Sequence, residues 1–146
     1  MKKAFITGIN GQDGSYLTEY LLGIGYEVYG MIRRQSVVEN QSNRIEHVIN
    51  NIQTFYGDVN DEQSVSKILE RVKPDEIYNL AAMSHVKVSF ELPTYTVKTN
   101  GLSVINLLHS YKKICPDAKF YQASSSEMFG NSIDPDGYQR LTTPMN

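Results

Sequence analysis

The stretch that decides the fold is Thr7-Gly8-Ile9-Asn10-Gly11-Gln12-Asp13-Gly14, which follows the apolar run Ala4-Phe5-Ile6 and precedes Ser15-Tyr16-Leu17. This order predicts a strand, a glycine-rich turn and an amphipathic helix. Glycines allow the backbone to turn sharply and to approach phosphate groups, and the start of a helix offers unpaired N–H donors. An ordinary strand-to-helix turn is the alternative, but the position between a strand and a helix favours a cradle for a diphosphate.

A second cofactor signal follows the next predicted strand, Glu27 to Ile32. Chains that bind NAD usually carry an acidic residue at this place, about 20 residues after the glycines, to hold the ribose 2′-hydroxyl. Here Arg33 and Arg34 follow the strand, and a guanidinium binds a 2′-phosphate with two hydrogen bonds, whereas a carboxylate would repel it. The pair predicts NADP, with Arg34 as the main ligand and Arg33 in support. Two solvated surface arginines are the alternative.

The composition predicts one globular domain over residues 1–146. The chain has 146 residues, 40% hydrophobic and 21% charged, with a net charge of −2. We therefore expect no binding to nucleic acid or to a membrane, since the charge is small and no apolar run approaches the ~18 residues of a membrane span. One cysteine, Cys115, excludes an internal disulfide and a thiolate-rich metal site. Because Met1-Lys2-Lys3 leads directly into the first strand, without a signal peptide, we expect a cytoplasmic location.

Strand and helix patterns alternate along the chain, which predicts an α/β doubly wound parallel sheet, that is, a Rossmann fold. The later strands are predicted at residues 52–56, 76–80 and 119–123, and the helices at 14–22, 45–49, from Asn60 or Asp61 to before Pro74, and 97–114. The first helix is expected to bury Leu17, Tyr20, Leu21 and Ile24, and the last one Val97, Gly101, Val104, Leu108 and Tyr111. The residues after 123 have no evident partner in a core, so we expect a fragment of a longer protein.

Five segments carry a family resemblance: Thr7–Leu17, Arg44-Ile45-Glu46-His47, Glu76-Ile77-Tyr78-Asn79-Leu80, Ser84-His85-Val86-Lys87 and Phe120-Tyr121-Gln122-Ala123-Ser124. With them, the chain resembles the GDP-mannose 4,6-dehydratase family of the extended short-chain dehydrogenase/reductase superfamily over essentially its whole length. The Gly-x-x-Gly-x-x-Gly spacing is typical of that superfamily. The run Gly11-Gln12-Asp13-Gly14-Ser15-Tyr16-Leu17, with the two arginines and residues 44–47, separates this family from related epimerases.

The resemblance implies a parent enzyme that converts GDP-mannose to GDP-4-keto-6-deoxymannose, with NADP as a recycled hydride carrier. Glu127 matches the residue that removes the C5 proton and helps the C6 hydroxyl to leave. Ser125 stands where the family usually has threonine, in position to hydrogen-bond the C4 oxygen. From the pattern alone, Ser124-x-x-Glu127 is equally a capping box that starts a helix.

The resemblance also implies the cofactor contacts and one departure. Met83 replaces the family's usual glutamine, and Asn100 matches an asparagine of the wider superfamily. His85 could face a substrate phosphate or be a hydrogen-bonded structural residue, and no metal site is expected. The implied cofactor-binding residues are Gly8, Asn10, Gly11, Gln12, Asp13, Gly14, Arg33, Arg34, Gln35, Ser36, Val37, Asp58, Val59, Leu80, Ala81, Ala82, Ser84 and Tyr95.

The family's catalytic Tyr-x-x-x-Lys pair and its substrate domain have no counterpart in residues 1–146. We therefore expect this chain alone to bind NADP weakly or not at all and to be inactive. Family members are commonly tetramers, so we expect a homo-oligomer, either a tetramer or a dimer. The alternatives are another nucleotide-sugar dehydratase or epimerase, and a non-catalytic NADP-binding module.

Overall fold

The computed structural model describes residues 1–34 and 43–145, and in these residues five parallel strands form one sheet. The strand order is β3-β2-β1-β4-β5, with every neighbouring pair parallel. This is the doubly wound order of a Rossmann fold, which confirms the predicted fold class. The strands are β1 Lys3–Thr7, β2 Glu27–Ile32, β3 Gln53–Tyr56, β4 Glu76–Asn79 and β5 Lys119–Gln122.

Helical segments connect the strands. In chain order they are α1 Gln12–Gly23, a 3₁₀ helix Asn43–Asn51, α2 Glu62–Val72, α3 Val86–Glu91, α4 Pro93–Val97, a π-helical turn Lys98–Leu102, α5 Ser103–Ile114 and a 3₁₀ helix Ser126–Phe129. Asp61, one of the two expected caps, begins α2 by accepting the Gln63 N–H at 3.1 Å. None of the helices in the described residues is long and apolar enough to cross a membrane.

The strand β1 lies at the centre of the sheet and separates two hydrophobic clusters. Because side chains alternate along a strand, Phe5 faces one side and Ala4 and Ile6 face the other. The cluster on the Phe5 side includes Leu69, Ile77 and Leu107. The cluster on the other side includes Ile9, Leu21, Val28 and Ile45. Both faces are covered, as expected for a parallel sheet.

The expected buried face of α1 was partly wrong. Tyr20 and Ile24 are 64% and 53% exposed, whereas Leu21 is buried as expected. The other residues that α1 buries are small: Gly14, Ser15 and Thr18. The Thr18 hydroxyl donates to the Gly14 carbonyl at 2.7 Å, so no polar group is left unpaired against the sheet.

The expected stripe on the last long helix was also partly wrong, since Val97 is 67% and Leu108 40% exposed. The buried residues are instead Thr99, Ser103, Leu107 and Ser110. Three of these four residues are polar, so a stripe of apolar side chains could not identify them. Two serine hydroxyls meet where α5 packs on α2, with Ser66 Oγ and Ser110 Oγ 2.9 Å apart.

The segment between β4 and residue 97 contains two helices that the sequence pattern did not predict. His85 begins α3, and its Nδ1 accepts the Val88 N–H at 3.4 Å. Pro93 occupies the first turn of α4, where its missing N–H is tolerated. These short helices bring Tyr95 and Asn100 over the carboxyl ends of the strands.

Candidate cofactor-binding cleft

A cleft of about 800 Å³ lies at the carboxyl ends of the strands. It crosses the sheet between β1 and β4. Here the strand order reverses, since β2 and β3 lie on one side of β1, and β4 and β5 lie on the other. Ligands of doubly wound sheets bind at this switch point. We call its two ends the Arg33 end and the Gln122 end, after residues that line them.

The glycine-rich turn forms the floor of the cleft. Gly8 has a φ of +69°, and a Cβ there would lie 3.0 Å from the Ala81 nitrogen. A Cβ on Gly14 would lie 2.3 Å from the Gly8 carbonyl oxygen. The Gly11 N–H donates to that same oxygen at 2.9 Å and closes the turn. Only glycine fits at these two positions, so the backbone itself forms the surface that a ligand would meet.

The start of α1 supplies hydrogen-bond donors to this floor. Its N-cap is Gly11, which makes no side-chain cap hydrogen bond. The N–H groups of the first turn of a helix have no partner inside the helix, and the N-terminus carries a partial positive charge. Gln12, Asp13 and Gly14 lie in this turn and line the cleft, as does Asn10. The arrangement suits a diphosphate.

At the Arg33 end, a hydrogen bond joins the end of β2 to α4. Arg33 Nη1 donates to the Tyr95 hydroxyl, and both residues line the cleft. Arg34 is exposed and is not among the described residues that line the cleft. Asp58 and Val59 lie at the same end, beyond β3. The expected contacts Gln35, Ser36 and Val37 lie outside the described residues.

At the Gln122 end, two side chains hold the loop that follows β4. The Thr7 hydroxyl oxygen accepts the N–H groups of Leu80 and Ala81 at 3.2 and 3.1 Å. The Asn100 amide accepts the Met83 N–H at 2.8 Å and donates to the Met83 carbonyl at 2.9 Å. The expected contacts Leu80, Ala81, Ala82 and Ser84 therefore line the cleft on a loop fixed from both sides.

A side cavity of about 560 Å³ opens beyond this loop, and it includes His85, Gln122 and Ser125. Ser125 Oγ accepts the Glu127 N–H at 3.1 Å and so begins the 3₁₀ helix Ser126–Phe129. The proton of the hydroxyl remains available to a ligand oxygen. Ser124 has a φ of +60°, a strained value for a residue with a side chain.

The capping-box interpretation of Glu127 is wrong, since the cap is Ser125 rather than Ser124. The Glu127 carboxylate is exposed, and it has no hydrogen bond or ion pair to the described residues. It does not line the side cavity in those residues, although Ser125 does.

Sequence reasoning missed several residues that line the cleft or the side cavity. Gln122 ends β5, and Thr99 lies on the π turn, where its hydroxyl accepts from the Asn60 amide at 3.0 Å. The position of Gln122 at the end of a predicted strand was the available signal, since strand ends meet at one edge of a parallel sheet. The π turn that places Thr99 had no signal in the hydrophobic pattern.

Comparisons with known proteins agree with this fold. The family model for GDP-mannose 4,6 dehydratase matches residues 5–146. Solved structures that resemble the chain include a UDP-Glc/GlcNAc 4-epimerase from Campylobacter jejuni, with 24% identity and a TM-score of 0.85 over 100% of this chain and 43% of that one. Another is a UDP-glucose 4-epimerase from Thermus thermophilus in complex with NAD, with 24% identity and a TM-score of 0.82 over 99% of this chain and 44% of that one. At this identity the likeness shows the fold.

Curated relatives are much closer in sequence. GDP-mannose 4,6 dehydratase 2 of Arabidopsis thaliana is 46% identical, in a match that covers 99% of this chain and 41% of that relative. The GDP-mannose 4,6 dehydratase of Homo sapiens is 46% identical, in a match that covers 97% of this chain and 40% of that relative. The chain thus spans about two fifths of the length of these relatives. The chain belongs to the GDP-mannose 4,6-dehydratase family.

Proposed function

We propose that this chain is the NADP-binding part of a GDP-mannose 4,6-dehydratase, which converts GDP-mannose to GDP-4-keto-6-deoxymannose. The observation that carries the proposal is the family match over residues 5–146, together with a cleft whose floor is formed by glycine backbone. The residues fit a dinucleotide, because Gly8 and Gly14 let the turn pack tightly on neighbouring backbone, and the first turn of α1 lines the cleft. When bound, NADP supplies a hydride acceptor that is restored in each cycle.

Charge favours NADP over NAD at the Arg33 end. Arg33 lies in the cleft and Arg34 directly follows it, whereas an NAD site usually has a carboxylate after this strand. The position of Arg33 favours it over Arg34 as the first contact of the 2′-phosphate, the reverse of the order expected from the sequence. Tyr95 orients the Arg33 guanidinium through their hydrogen bond. Charge-assisted hydrogen bonds to a phosphate stabilise by about 1.5–3 kcal/mol, or roughly 10- to 100-fold in affinity.

The substrate steps are assigned to two residues after β5. The Ser125 hydroxyl donates a hydrogen bond to the C4 oxygen of the hexose. Its oxygen continues to accept the hydrogen bond from the Glu127 N–H. Glu127 removes the C5 proton and then protonates the C6 hydroxyl as it leaves as water. The Glu127 carboxylate has no hydrogen bond or ion pair to the described residues, which leaves it available to the substrate.

Cofactor binding is tested in the longest product of the gene, because we expect residues 1–146 alone to bind NADP weakly or not at all. Titration with NADPH and NADH, followed by nicotinamide fluorescence, should show tighter binding of NADPH. Arg33→Ala should remove that preference, and Arg34→Ala, the matched change at the next residue, should reduce it less. Tighter binding of NADH by the unchanged protein would refute the assignment of NADP.

Turnover is tested in the longest product of the gene, since the relatives are more than twice the length of this chain. Mass spectrometry should show that GDP-mannose loses the mass of one water molecule, and that Glu127→Gln stops this loss while NADPH binding is kept. Conversion of a UDP-sugar but not of GDP-mannose would favour a different nucleotide-sugar enzyme. Binding of NADPH without any conversion would favour a non-catalytic module.

We further propose that the protein forms a homo-oligomer. The outer surface of the π turn and α5 exposes Leu102 and Ile105, which are 49% and 64% accessible, beside Val97. Such an apolar surface would be covered in an assembly of like chains. Sedimentation velocity of the unchanged chain and of Ile105→Lys measures this directly, and a monomer in both would contradict it.

A further inference from the structure

The geometry points to Gln122 as a further cofactor-contacting residue, which presents its amide hydrogens to an acceptor oxygen on the nicotinamide half of the dinucleotide. The inference rests on the proposed cofactor site. It follows from a chain of side-chain hydrogen bonds that crosses three strands at the edge of the cleft.

The last residues of β1, β4 and β5 lie side by side. Thr7 pairs with Asn79 in the strand register, and Asn79 pairs with Gln122. Their side chains are joined in the same order, with 2.5 Å from Thr7 Oγ1 to Asn79 Oδ1 and 2.8 Å from Asn79 Nδ2 to Gln122 Oε1. Thr7 is fully buried and Asn79 is 2% exposed, so water does not compete for these bonds.

Thr7 determines the direction of the hydrogen bonds that join it to Asn79 and Asn79 to Gln122. Its hydroxyl oxygen already accepts the N–H groups of Leu80 and Ala81. A hydroxyl has two acceptor sites and one proton, so the proton must go to the Asn79 oxygen. The Asn79 amide nitrogen then faces Gln122 and donates to its oxygen. Consequently the Gln122 nitrogen, with both hydrogens, is turned away from Asn79.

The position of Gln122 allows its amide hydrogens to reach a bound ligand. The residue is exposed, and it lines both the cleft and the side cavity. Within the described residues, its Nε2 has no hydrogen-bond partner. With a 2′-phosphate at Arg33 and the diphosphate on the glycine turn, the second nucleoside of a dinucleotide extends towards Gln122. A carboxamide or ribose oxygen of that nucleoside is the matching acceptor.

The test compares a whole dinucleotide with its adenosine half. Gln122→Glu keeps an acceptor for Asn79 but replaces the two amide hydrogens with a carboxylate oxygen. Calorimetric titration should show NADPH binding weakened about tenfold or more, since the variant loses a hydrogen bond and gains repulsion of the ligand oxygen. Binding of adenosine 2′,5′-bisphosphate should stay unchanged.

Two controls make the result decisive. Gln53→Glu introduces the same charge at the amino end of β3, on the far side of the sheet, and should leave both affinities unchanged. If Gln122→Glu does not fold, Gln122→Ala replaces it in the test and should lower the affinity for NADPH several-fold. Equal weakening of both ligands, or of neither, would overturn the role of Gln122. All variants are compared in the longest product of the gene. If that unchanged protein binds neither ligand, the proposed cofactor site fails, and this inference fails with it.

Discussion

Replacement of Gly14 by alanine is the sharpest test of the glycine turn. The new Cβ would lie 2.3 Å from the Gly8 oxygen and 2.8 Å from both Cα and O of Ile9. These are backbone atoms, so no rotamer change relieves the overlap, and the turn must move by about 1 Å to restore ordinary contact. Overpacking of this kind usually destabilises by about 1–3 kcal/mol. Because the turn is closed by the Gly11–Gly8 hydrogen bond, we expect the upper end of that range.

The matched control lies in the same helix. Gly23 ends α1, and a Cβ there would have no neighbour within 4 Å. Gly23→Ala should stabilise slightly, by up to about 1 kcal/mol, through helix propensity alone. Thermal unfolding followed by circular dichroism should therefore show Gly14→Ala melting roughly 10 °C below the unchanged chain, and Gly23→Ala at or above it. If Gly14→Ala melts at the same temperature as the unchanged chain, a Cβ at residue 14 does not overlap the backbone of Gly8 and Ile9.

Three further stability predictions concern other parts of the fold. Leu107→Ala should lower the free energy of unfolding by about 2–5 kcal/mol, and Leu108→Ala by much less, because Leu107 is 2% and Leu108 40% exposed; urea unfolding that ranks them oppositely would restore the stripe expected from the sequence. The hydrogen bond from Tyr78 holds the pKa of Glu76 below its usual range, so ionised Glu76 stabilises the fold above its unfolded pKa and stabilises it less as the pH falls. Glu76→Gln should lower the free energy of unfolding by roughly 1–3 kcal/mol at pH 7. This difference from the unchanged chain should shrink below about pH 4. Lys73 ends α2 with a φ of +46°, so Lys73→Gly should stabilise by up to about 1 kcal/mol in the same assay.

The sequence predicted those parts of the fold that local pattern determines. All five strands lie within one residue of their expected bounds, because apolar runs between turn residues are strong signals in a parallel sheet. The start of α2 at Asp61 followed from the capping chemistry of its side chain. The glycine turn was recognisable for the same reason, since only glycine fits a positive φ at Gly8 and a contact with backbone at Gly14.

The errors lie where tertiary contacts override the hydrophobic pattern. The buried face of α5 could not be identified from apolar residues alone, since it includes Ser103 and Ser110, and Ser110 contacts Ser66 of α2. The helices α3 and α4 were missed because they are short and bury no residue in the described structure. The preference for Arg34 over Arg33 as the main ligand of a 2′-phosphate stays a prediction, which the two alanine variants test.

The hydrogen bonds between Thr7, Asn79 and Gln122 have a further consequence for the alignment of the outermost strand. In β5, Lys119, Tyr121 and Gln122 are exposed and Phe120 is half-buried, so hydrophobic burial does little to fix its register against β4. A shift by one position would put Tyr121 or Ala123 opposite Asn79 and leave a buried amide without its acceptor, at a penalty of about 1–3 kcal/mol. The hydrogen bond between Asn79 and Gln122 therefore orients an amide towards the cleft and also stabilises the register of β5 against β4.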